Sequence, residues 1–381
     1  MSFGFHKHPA FKLLAAADAQ IAKPSMKRGA LECNHTYELN MGFSPVSVDL
    51  GMVEPDELRD ILDLGDQHVH VLSACAPCTG FSRANPNNHL RNDTRNNLVE
   101  KSAQFATALD VDILLMENAR EVLTGNFSEH YLSLKRHLES SGYHVHASTH
   151  MLNKYGLPQV RERALIIAHK VDFDFFGLED LWEGLKIAEE STHVRHAFRS
   201  IRKNATCQDR YPHFSNQTVS DRLAAIPSNG GSWADLLFHE NKDVLLTDAM
   251  KERARKNKLG SHPDVYGRMW WGRPSPTIKR ECAHIGNGRY AHPEENRLCS
   301  LREMATLQGF PNEFEFNGSS LSNNYRQIGD AVPPLISYQL AWICHWMFTK
   351  HKPTPEQWIL ADTHLSISDL LEADQPALRY G

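Results

Sequence analysis

Short apolar runs alternate with segments of helical spacing over the first 170 residues of the chain. Short apolar runs are typical of buried strands, and apolar residues that recur three or four positions apart are typical of helices. This alternation predicts an α/β fold with a doubly wound, mostly parallel sheet that is covered by helices. The predicted strands are 11–17, 45–48, 68–74, 111–116 and 164–169, and the predicted helices are 55–64, 98–110 and 129–140.

The pattern changes near residue 170. Residues 172–190 are acidic and carry aromatic side chains, which favours a connector or a surface helix. Residues 193–280 are basic and rich in turns, with a polar helix predicted over 248–258 and Thr247 as its N-cap. Apolar residues at helical spacing return at 301–310 and 334–348.

The 381-residue chain has a net charge of −5, but its charges are distributed unevenly. Residues 193–280 hold 16 Lys and Arg against 8 Asp and Glu, and the rest of the chain holds 25 against 38. One interpretation is an ordinary fluctuation of surface charge. The other is that this segment faces a polyanion. Composition alone does not decide between the two.

Composition also narrows the class of protein. The chain is 41% hydrophobic and 23% charged, as is usual for a soluble globular protein. No apolar run reaches the roughly 18 residues that a membrane span needs, and the N-terminus has no signal-peptide pattern. Seven cysteines spread over a long chain do not indicate a disulfide framework. We therefore expect a cytoplasmic protein with no membrane partner.

Chemically useful side chains follow several of the predicted strands. Asp18, Asp49, Cys78 and Glu117 each come just after one of them. In sheets of this class, functional residues gather at the carboxyl ends of the strands. We therefore expect these four residues to lie at one edge of the sheet.

The segment SACAPCTGFS at 73–82 has several interpretations. Cys75 and Cys78 form a CxxC pair, which is found in redox proteins. They could also be half of a zinc site, but no second pair at ligand spacing completes it, so no metal is expected. Alternatively, Cys78 alone is a nucleophile on a loop stiffened by proline. A single cysteine is more often buried and inert, and the segment by itself leaves these alternatives open.

Two further segments carry polar groups at predicted strand ends. Glu117 and Asn118 could recognise the edge of a base, or could be a solvated acid beside a capping amide. Arg161 and Arg163 alternate along a chain that enters a strand. Their guanidinium groups could bind an oxyanion or a phosphate, or could be ordinary surface charges.

Taken in order, these segments resemble the motifs of the DNA cytosine-5 methyltransferase family. The resemblance extends from about residue 2 to about residue 345 and is specific, because short motifs rarely recur in one order and spacing by chance. The matching motifs are PCTGFS (77–82), DTRNNL (93–98), ENA (117–119), YGLPQVRER (155–163), PSPTI (274–278), HPEENRLCSLREMATLQGFP (292–311) and QIGDAVPP (327–334).

The resemblance implies a methyl transfer from S-adenosylmethionine to carbon 5 of a cytosine flipped out of duplex DNA. Cys78 is then the nucleophile that adds to ring carbon 6. Glu117 engages ring nitrogen 3 and the exocyclic amine, and Arg163 binds the carbonyl oxygen of the base. Asn118 holds the Glu117 and Cys78 loops together, and Arg161 supports the loop or the backbone.

The resemblance also implies a cofactor site and a recognition region. Asp18 matches the acid that binds the cofactor ribose, Asp49 the acid that binds the adenine amine, and Leu98 an apolar cofactor contact, while Asp330 lies near the cofactor. The family's variable target-recognition region coincides with the basic segment, where phosphate contacts are expected. The candidate DNA-binding residues are Lys251, Arg253, Arg255, Lys256 and Lys258.

The implied organisation is a Rossmann-like methyltransferase domain interrupted by a smaller target-recognition domain. The predicted boundaries are 1–170 for the catalytic and cofactor part, 171–272 for target recognition, 273–348 for the return to the catalytic part, and 349–381 for a C-terminal tail.

The chain departs from the family pattern at four places. It begins where the family's first strand and glycine loop have already ended, so that strand is expected to be missing. Cys75 replaces a small residue, Ala119 a valine and Asp330 an asparagine. The first departure leaves open a late start site, a partner chain that supplies the strand, or a decayed enzyme. Asp330 could disturb its loop or be accommodated by a nearby base.

The leading hypothesis is the modification enzyme of a restriction–modification system, with a restriction endonuclease acting on the same site. One alternative is a subunit of a split enzyme, or a DNA-binding pseudoenzyme, that cannot bind cofactor alone. A tRNA methyltransferase of the same fold is a second alternative, against which the long basic segment argues. A redox protein explains only the CxxC pair.

Overall fold

A four-stranded sheet with helices on both faces forms the centre of the molecule. The computed structural model describes residues 1–20, 32–77, 94–170, 172–202, 209–256 and 264–373. The strands are β1 (Val71–Ala74), β2 (Ile113–Asn118), β3 (Tyr143–Met151), β4 (Glu162–Lys170), β5 (Leu185–Ile187) and β6 (Leu370–Glu372). The helices before residue 200 are α1 (Ser2–Lys7), α2 (Cys33–Met41), α3 (Leu58–Ile61), α4 (Asn97–Ala108), α5 (Glu121–Thr124), α6 (Glu129–Ser140), α7 (Leu178–Leu181) and α8 (Val194–Arg199). The later helices are α9 (Gln217–Ala225), α10 (Lys242–Leu245), α11 (Asp248–Arg255), α12 (Leu301–Leu307), α13 (Leu321–Asp330), α14 (Pro334–Thr349) and α15 (Pro355–Trp358).

The described part of the central sheet is mixed rather than mostly parallel. Its strand order is β1-β2-β4-β3, and only β1 and β2 are parallel, whereas β4 runs antiparallel to both β2 and β3. The segments predicted as the first two strands are joined by a single parallel bridge between Ala17 and Val46. The α/β class is confirmed, and the expected excess of parallel pairings is wrong for these strands.

The error has a physical cause in β3, which the hydrophobic pattern does not predict. This strand reads YHVHASTHM, and most of its residues are exposed or only partly buried. It lies at the edge of the sheet, where one side meets solvent, so it lacks the apolar run that marks a central strand. Without this partner, the pattern predicts that β4 continues the parallel series.

Strand β2 is buried along its whole length and separates two apolar cores. Ile113 and Leu115 point to the side covered by α14, whereas Leu114 and Met116 point to the side covered by α4 and α6. Alternation of side chains along a strand produces this division. Each such apolar side chain contributes about 1.5–3 kcal/mol when it is fully buried. Helices on both faces confirm the doubly wound arrangement.

The N-terminal helix α1 packs closely against α14. A Cβ atom on Gly4 would lie 2.3 Å from the backbone of Ser337, so only glycine permits this approach. Helix α14 has Pro334 at its first position, where a missing backbone N–H costs nothing, and it is apolar around most of its circumference. No helix among the described residues has the length and apolar character needed to cross a bilayer.

The basic region contains a small apolar core of its own. Helix α11 begins at Asp248 and is capped by Thr247, whose hydroxyl oxygen accepts a hydrogen bond from the Met250 N–H at 3.2 Å. This confirms the predicted cap and most of the predicted helix, which ends at Arg255. The small core consists of Ile226, Trp233, Leu236, Leu245, Leu246 and Met250.

The C-terminal residues are folded through Glu372. Strand β6 pairs antiparallel with β5, which lies in the acidic 172–190 segment predicted as a connector or surface helix. Trp358 is buried in the core beside α14. The predicted tail therefore contains packed structure up to this strand, and the other domain boundaries stay predictions.

Candidate active site

Two parallel strands bring the motif residues to one edge of the sheet. β1 ends at Ala74 and leads into the CAPC segment, and β2 ends at Asn118. The Asn118 side-chain Nδ2 donates a hydrogen bond to the backbone oxygen of Ala76 at 3.0 Å. Cys78 lies outside the described residues. The chain two residues before it is thus tied directly to the end of β2.

Glu117 and Arg163 meet in the space beside this bond. Glu117 pairs with Leu165 in the antiparallel register of β2 and β4, so Arg163 is its diagonal neighbour on the same face. The Arg163 Nε atom lies 2.9 Å from Glu117 Oε1, and both side chains are largely buried. Neither atom has a well-directed hydrogen bond among the described residues. The pair therefore retains capacity to bond a third polar group.

Arg161 is buried and donates to backbone. The residue is 3% exposed. Its Nη1 and Nη2 atoms donate to the carbonyl oxygens of Ile278 and Ala331 at 3.2 and 3.4 Å. The two arginines of the RER sequence therefore have different partners. Arg161 joins distant segments of the chain, and Arg163 faces Glu117.

The residues expected to bind cofactor are exposed or half-buried. Asp18 and Asp49 each use one carboxylate oxygen to accept a backbone N–H two residues later, at 2.6 and 2.9 Å. The bridge between Ala17 and Val46 brings their two segments together. Leu98 lies in the first turn of α4, the helix from which Lys101 donates to the carbonyl oxygen of Gly51. These contacts place Leu98 in the neighbourhood of the Asp49 turn.

Helix α11 presents most of its predicted DNA-binding side chains to solvent. Arg253, Arg255 and Lys256 are exposed, and the last two lie 3.5 and 2.9 Å from Glu252. Lys251 is half-buried and donates instead to the carbonyl oxygen of Asp243 at 2.8 Å. Lys258 lies outside the described residues.

Comparison with known proteins assigns the family. The model of the C-5 cytosine-specific DNA methylase family matches residues 17–344. The type II methylase M.HgiDII of Herpetosiphon aurantiacus is 31% identical over 317 residues, which cover 81% of this chain and 84% of the relative. This chain belongs to the C-5 cytosine-specific DNA methylase family.

Other relatives agree with this methylase assignment. The type II methyltransferase M.NgoFVII of Neisseria gonorrhoeae is 30% identical over 309 residues, covering 80% of this chain and 76% of the relative. A crystal structure of a prophage-encoded protein described as a DNA modification methyltransferase (E. coli) superposes with a TM-score of 0.60 at 18% identity. It covers 91% of this chain and 95% of that chain, and at this identity the likeness concerns the fold.

The methylase fold contains a buried polar cluster that sequence reasoning missed. Gln159 is fully buried, and its Nε2 donates to Gln308 Oε1 at 2.7 Å, while its Oε1 accepts the Ile278 N–H at 2.9 Å. Gln308 Nε2 in turn donates to the carbonyl oxygen of Ala331 at 2.7 Å. These bonds join the four motifs that contain Gln159, Ile278, Gln308 and Ala331, next to Arg161. Gln159 lies in the motif YGLPQVRER and Gln308 in the motif that ends in LQGFP. The residue type by itself does not predict that the two side chains meet.

Asp330 is accommodated by an arginine. Arg280 Nη1 donates to Asp330 Oδ2 at 2.8 Å, and the arginine side chain is mostly buried. The preceding Gly329 permits close contact, since a Cβ there would lie 2.4 Å from the backbone of Lys279. Burial raises the pKa of the nearby Cys33 thiol to about 12, with a further contribution from the charges of Asp18 and Asp330. The methylase thus holds both acids around one thiol that stays neutral.

Proposed function

We propose that this chain transfers a methyl group from S-adenosylmethionine to carbon 5 of cytosine in a specific duplex DNA sequence. Its biological role would be the modification half of a restriction–modification system, with a restriction endonuclease that cuts the same site. The observation that carries this proposal is the Glu117–Arg163 pair at the end of β2, which the hydrogen bond from Asn118 joins to the backbone of Ala76.

The chemistry assigns each residue one task. The Cys78 thiolate forms a bond to ring carbon 6 of a flipped cytosine, and the displaced electron pair makes carbon 5 nucleophilic. Glu117 supplies a proton to ring nitrogen 3 and accepts a hydrogen bond from the exocyclic amine, where charge changes most during this addition. Arg163 donates to the carbonyl oxygen of the base. Carbon 5 takes the methyl group from the sulfonium, which leaves as a neutral thioether. Carbon 5 then gives its proton to water, and the returning electrons break the bond to the Cys78 sulfur.

Pairing with Arg163 prepares Glu117 for this task. In the absence of DNA the guanidinium offsets the cost of burying a carboxylate. Because Glu117 Oε1 and Arg163 Nε have no well-directed hydrogen bond, both atoms are available to a cytosine, whose amine can donate to the carboxylate and whose carbonyl oxygen can accept from the guanidinium. Asn118 and Arg161 are positioning residues in this proposal, because their contacts are to backbone.

The described residues suit S-adenosylmethionine, which supplies an electrophilic methyl group when bound. The side chains of Asp18 and Asp49 are exposed. In each, one carboxylate oxygen accepts the backbone N–H two residues later, and the other oxygen is not needed for that bond. A carboxylate offers roughly four acceptor positions, so each can also accept from ribose hydroxyls or from the adenine amine. Asp330 is engaged by Arg280, so its contribution would be to fix the end of α13 beside this region.

Methyl transfer by the purified chain tests the proposal directly. Labelled S-adenosylmethionine and mixed-sequence duplex DNA would be supplied, with an equal mass of tRNA as the competing acceptor. We expect label at carbon 5 of cytosine in DNA, complete loss of label in Cys78→Ser, and unchanged DNA binding by that variant. Label in tRNA alone, or methylation that survives Cys78→Ser, would contradict the proposal.

A further inference from the structure

A group of three potential metal ligands lies at the opposite end of the sheet from Glu117. His68, His70 and Asp112 each offer one ligand atom, and these atoms all lie within 4.8 Å of one another. His68 and His70 precede β1, and Asp112 precedes β2. Because the two strands are parallel, their amino ends meet at one edge. From there to Glu117, five residues of extended chain span about 16 Å.

We propose that His68, His70 and Asp112 form a binding site for a divalent transition-metal ion of the zinc class. Two imidazoles and a carboxylate are a common ligand set for such ions, with water completing the coordination. Bonds of about 2.0–2.1 Å require ligand atoms about 3.3 Å apart, which small rotations of the exposed rings can supply. The expectation of no metal rested on cysteine spacing, which does not bear on this group.

The surroundings favour a cation at this place. His68 Nε2 already lies 2.7 Å from Asp112 Oδ2, so one ligand pair is aligned. The His70 ring is held edge-on against Phe348 at 5.8 Å, and the backbone oxygen of His70 accepts the Ile113 N–H at 2.9 Å. The backbone bond fixes the position of His70 beside Asp112, and the ring contact restricts its imidazole to the small rotations that coordination needs.

Neighbouring cations are occupied by other partners. Lys170 is paired with Asp110, and Arg59 donates to the carbonyl oxygens of Gly65, Gln67 and Leu109. Neither side chain therefore needs Asp112 as its counter-ion. A bound metal would cross-link the segment before β1 to the segment before β2, at a distance from the reacting groups.

Metal titration of the full chain tests this site without any reference to methyl transfer. The chain would be treated with EDTA, dialysed and titrated with Co²⁺, followed by visible absorption and by displacement with Zn²⁺. We expect one site per chain whose spectrum lacks a thiolate charge-transfer band, because the ligands are nitrogen and oxygen. His70→Ala and Asp112→Asn should each remove that one equivalent.

The variants separate metal binding from simple loss of structure. His70→Ala leaves the His68–Asp112 contact intact, so its thermal unfolding without metal should match that of the wild type. His351→Ala removes an exposed histidine elsewhere and should keep the site. The proposal would be overturned if the wild type and His70→Ala bound equal numbers of Co²⁺ with equal affinity, or if the bound Co²⁺ showed thiolate ligation.

Discussion

Charged side chains are used in opposite ways at the sheet edge and on helix α11. Arg161 is 3% exposed, and the two carbonyl oxygens to which it donates lie more than a hundred residues away in the sequence. Arg255 and Lys256 are exposed, and their partner Glu252 lies within one helical turn. The first arrangement exists only in the folded chain, whereas the second can form in an isolated helix.

The difference has an energetic consequence. Removing a buried donor leaves its acceptors without partners and costs about 1–3 kcal/mol for each of them, whereas breaking a buried ion pair costs about 3–5 kcal/mol. An exposed ion pair contributes about 0–1 kcal/mol, so its exchange for a DNA phosphate costs little. The sheet edge is therefore suited to hold geometry, and α11 is suited to bind a partner reversibly.

Changing Glu117 to Gln should produce the largest effect on activity. Gln keeps the shape of the Glu side chain but removes the negative charge that faces Arg163. It also cannot supply a proton to ring nitrogen 3 of the cytosine. We expect the methylation rate constant to fall by a factor of about 10²–10⁴, as measured in single-turnover assays. Glu162→Gln alters a more exposed carboxylate paired with Arg120 and should keep most activity. Equal losses of methylation rate in the two variants would show that Glu117 is no more important for catalysis than Glu162.

Changing Arg161 to Ala should act mainly on stability. The carbonyl oxygens of Ile278 and Ala331 would lose a donor, and we expect the free energy of unfolding to fall by about 3 kcal/mol. Urea unfolding measures this loss of stability, and the m-value should stay unchanged. Arg163→Ala leaves the buried Glu117 carboxylate without its counter-charge, so it should cost at least as much stability and, in addition, most of the activity. The comparison fails if Arg161→Ala lowers the methylation rate as much as Arg163→Ala does.

Neutralising α11 should produce a smaller, salt-dependent effect on binding. We expect the DNA affinity of a triple variant to fall about tenfold near 0.1 M salt. This variant combines Arg253→Gln, Arg255→Gln and Lys256→Gln. The slope of log affinity against log salt should flatten by up to about 0.9 for each phosphate that the variant no longer neutralises. Fluorescence anisotropy across a salt series measures both quantities.

A surface control sharpens that experiment. Lys350→Gln combined with Lys352→Gln removes two lysines that pair with Asp174 and Glu183 far along the chain. This control should leave the salt slope unchanged, and unfolding curves of both combined variants should match the wild type. An unchanged slope for the α11 variant would show that this helix faces solvent in the complex.

Sequence patterns located the elements that combine a clear period with burial. β1, β2, β4, α4, α6 and α14 all lie close to their predicted positions, because each carries an apolar run or stripe. β3 was missed because its edge position leaves it polar, and the first two predicted strands form only one bridge. Without β3, the antiparallel direction of β4 could not be inferred.

In the candidate site, too, local properties could be predicted from the sequence and long-range contacts could not. Motif order by itself singled out Cys78, Glu117, Asn118 and Arg163, since residue type and position after a strand are local properties of the sequence. The partners of those residues were decided by tertiary structure. The bond from Asn118 to Ala76 and the Gln159–Gln308 contact each join segments that only folding brings together.

The sequence by itself therefore determined the family, the α/β class and the identity of the residues that carry the proposed chemistry. Only the tertiary structure decided that Arg161 binds backbone while Arg163 faces Glu117, that Arg280 accommodates Asp330, and that two histidines meet Asp112. The physical reason is that residue type and periodicity are local. Hydrogen bonds and ion pairs between distant segments depend on strand direction and register, which the local pattern does not contain.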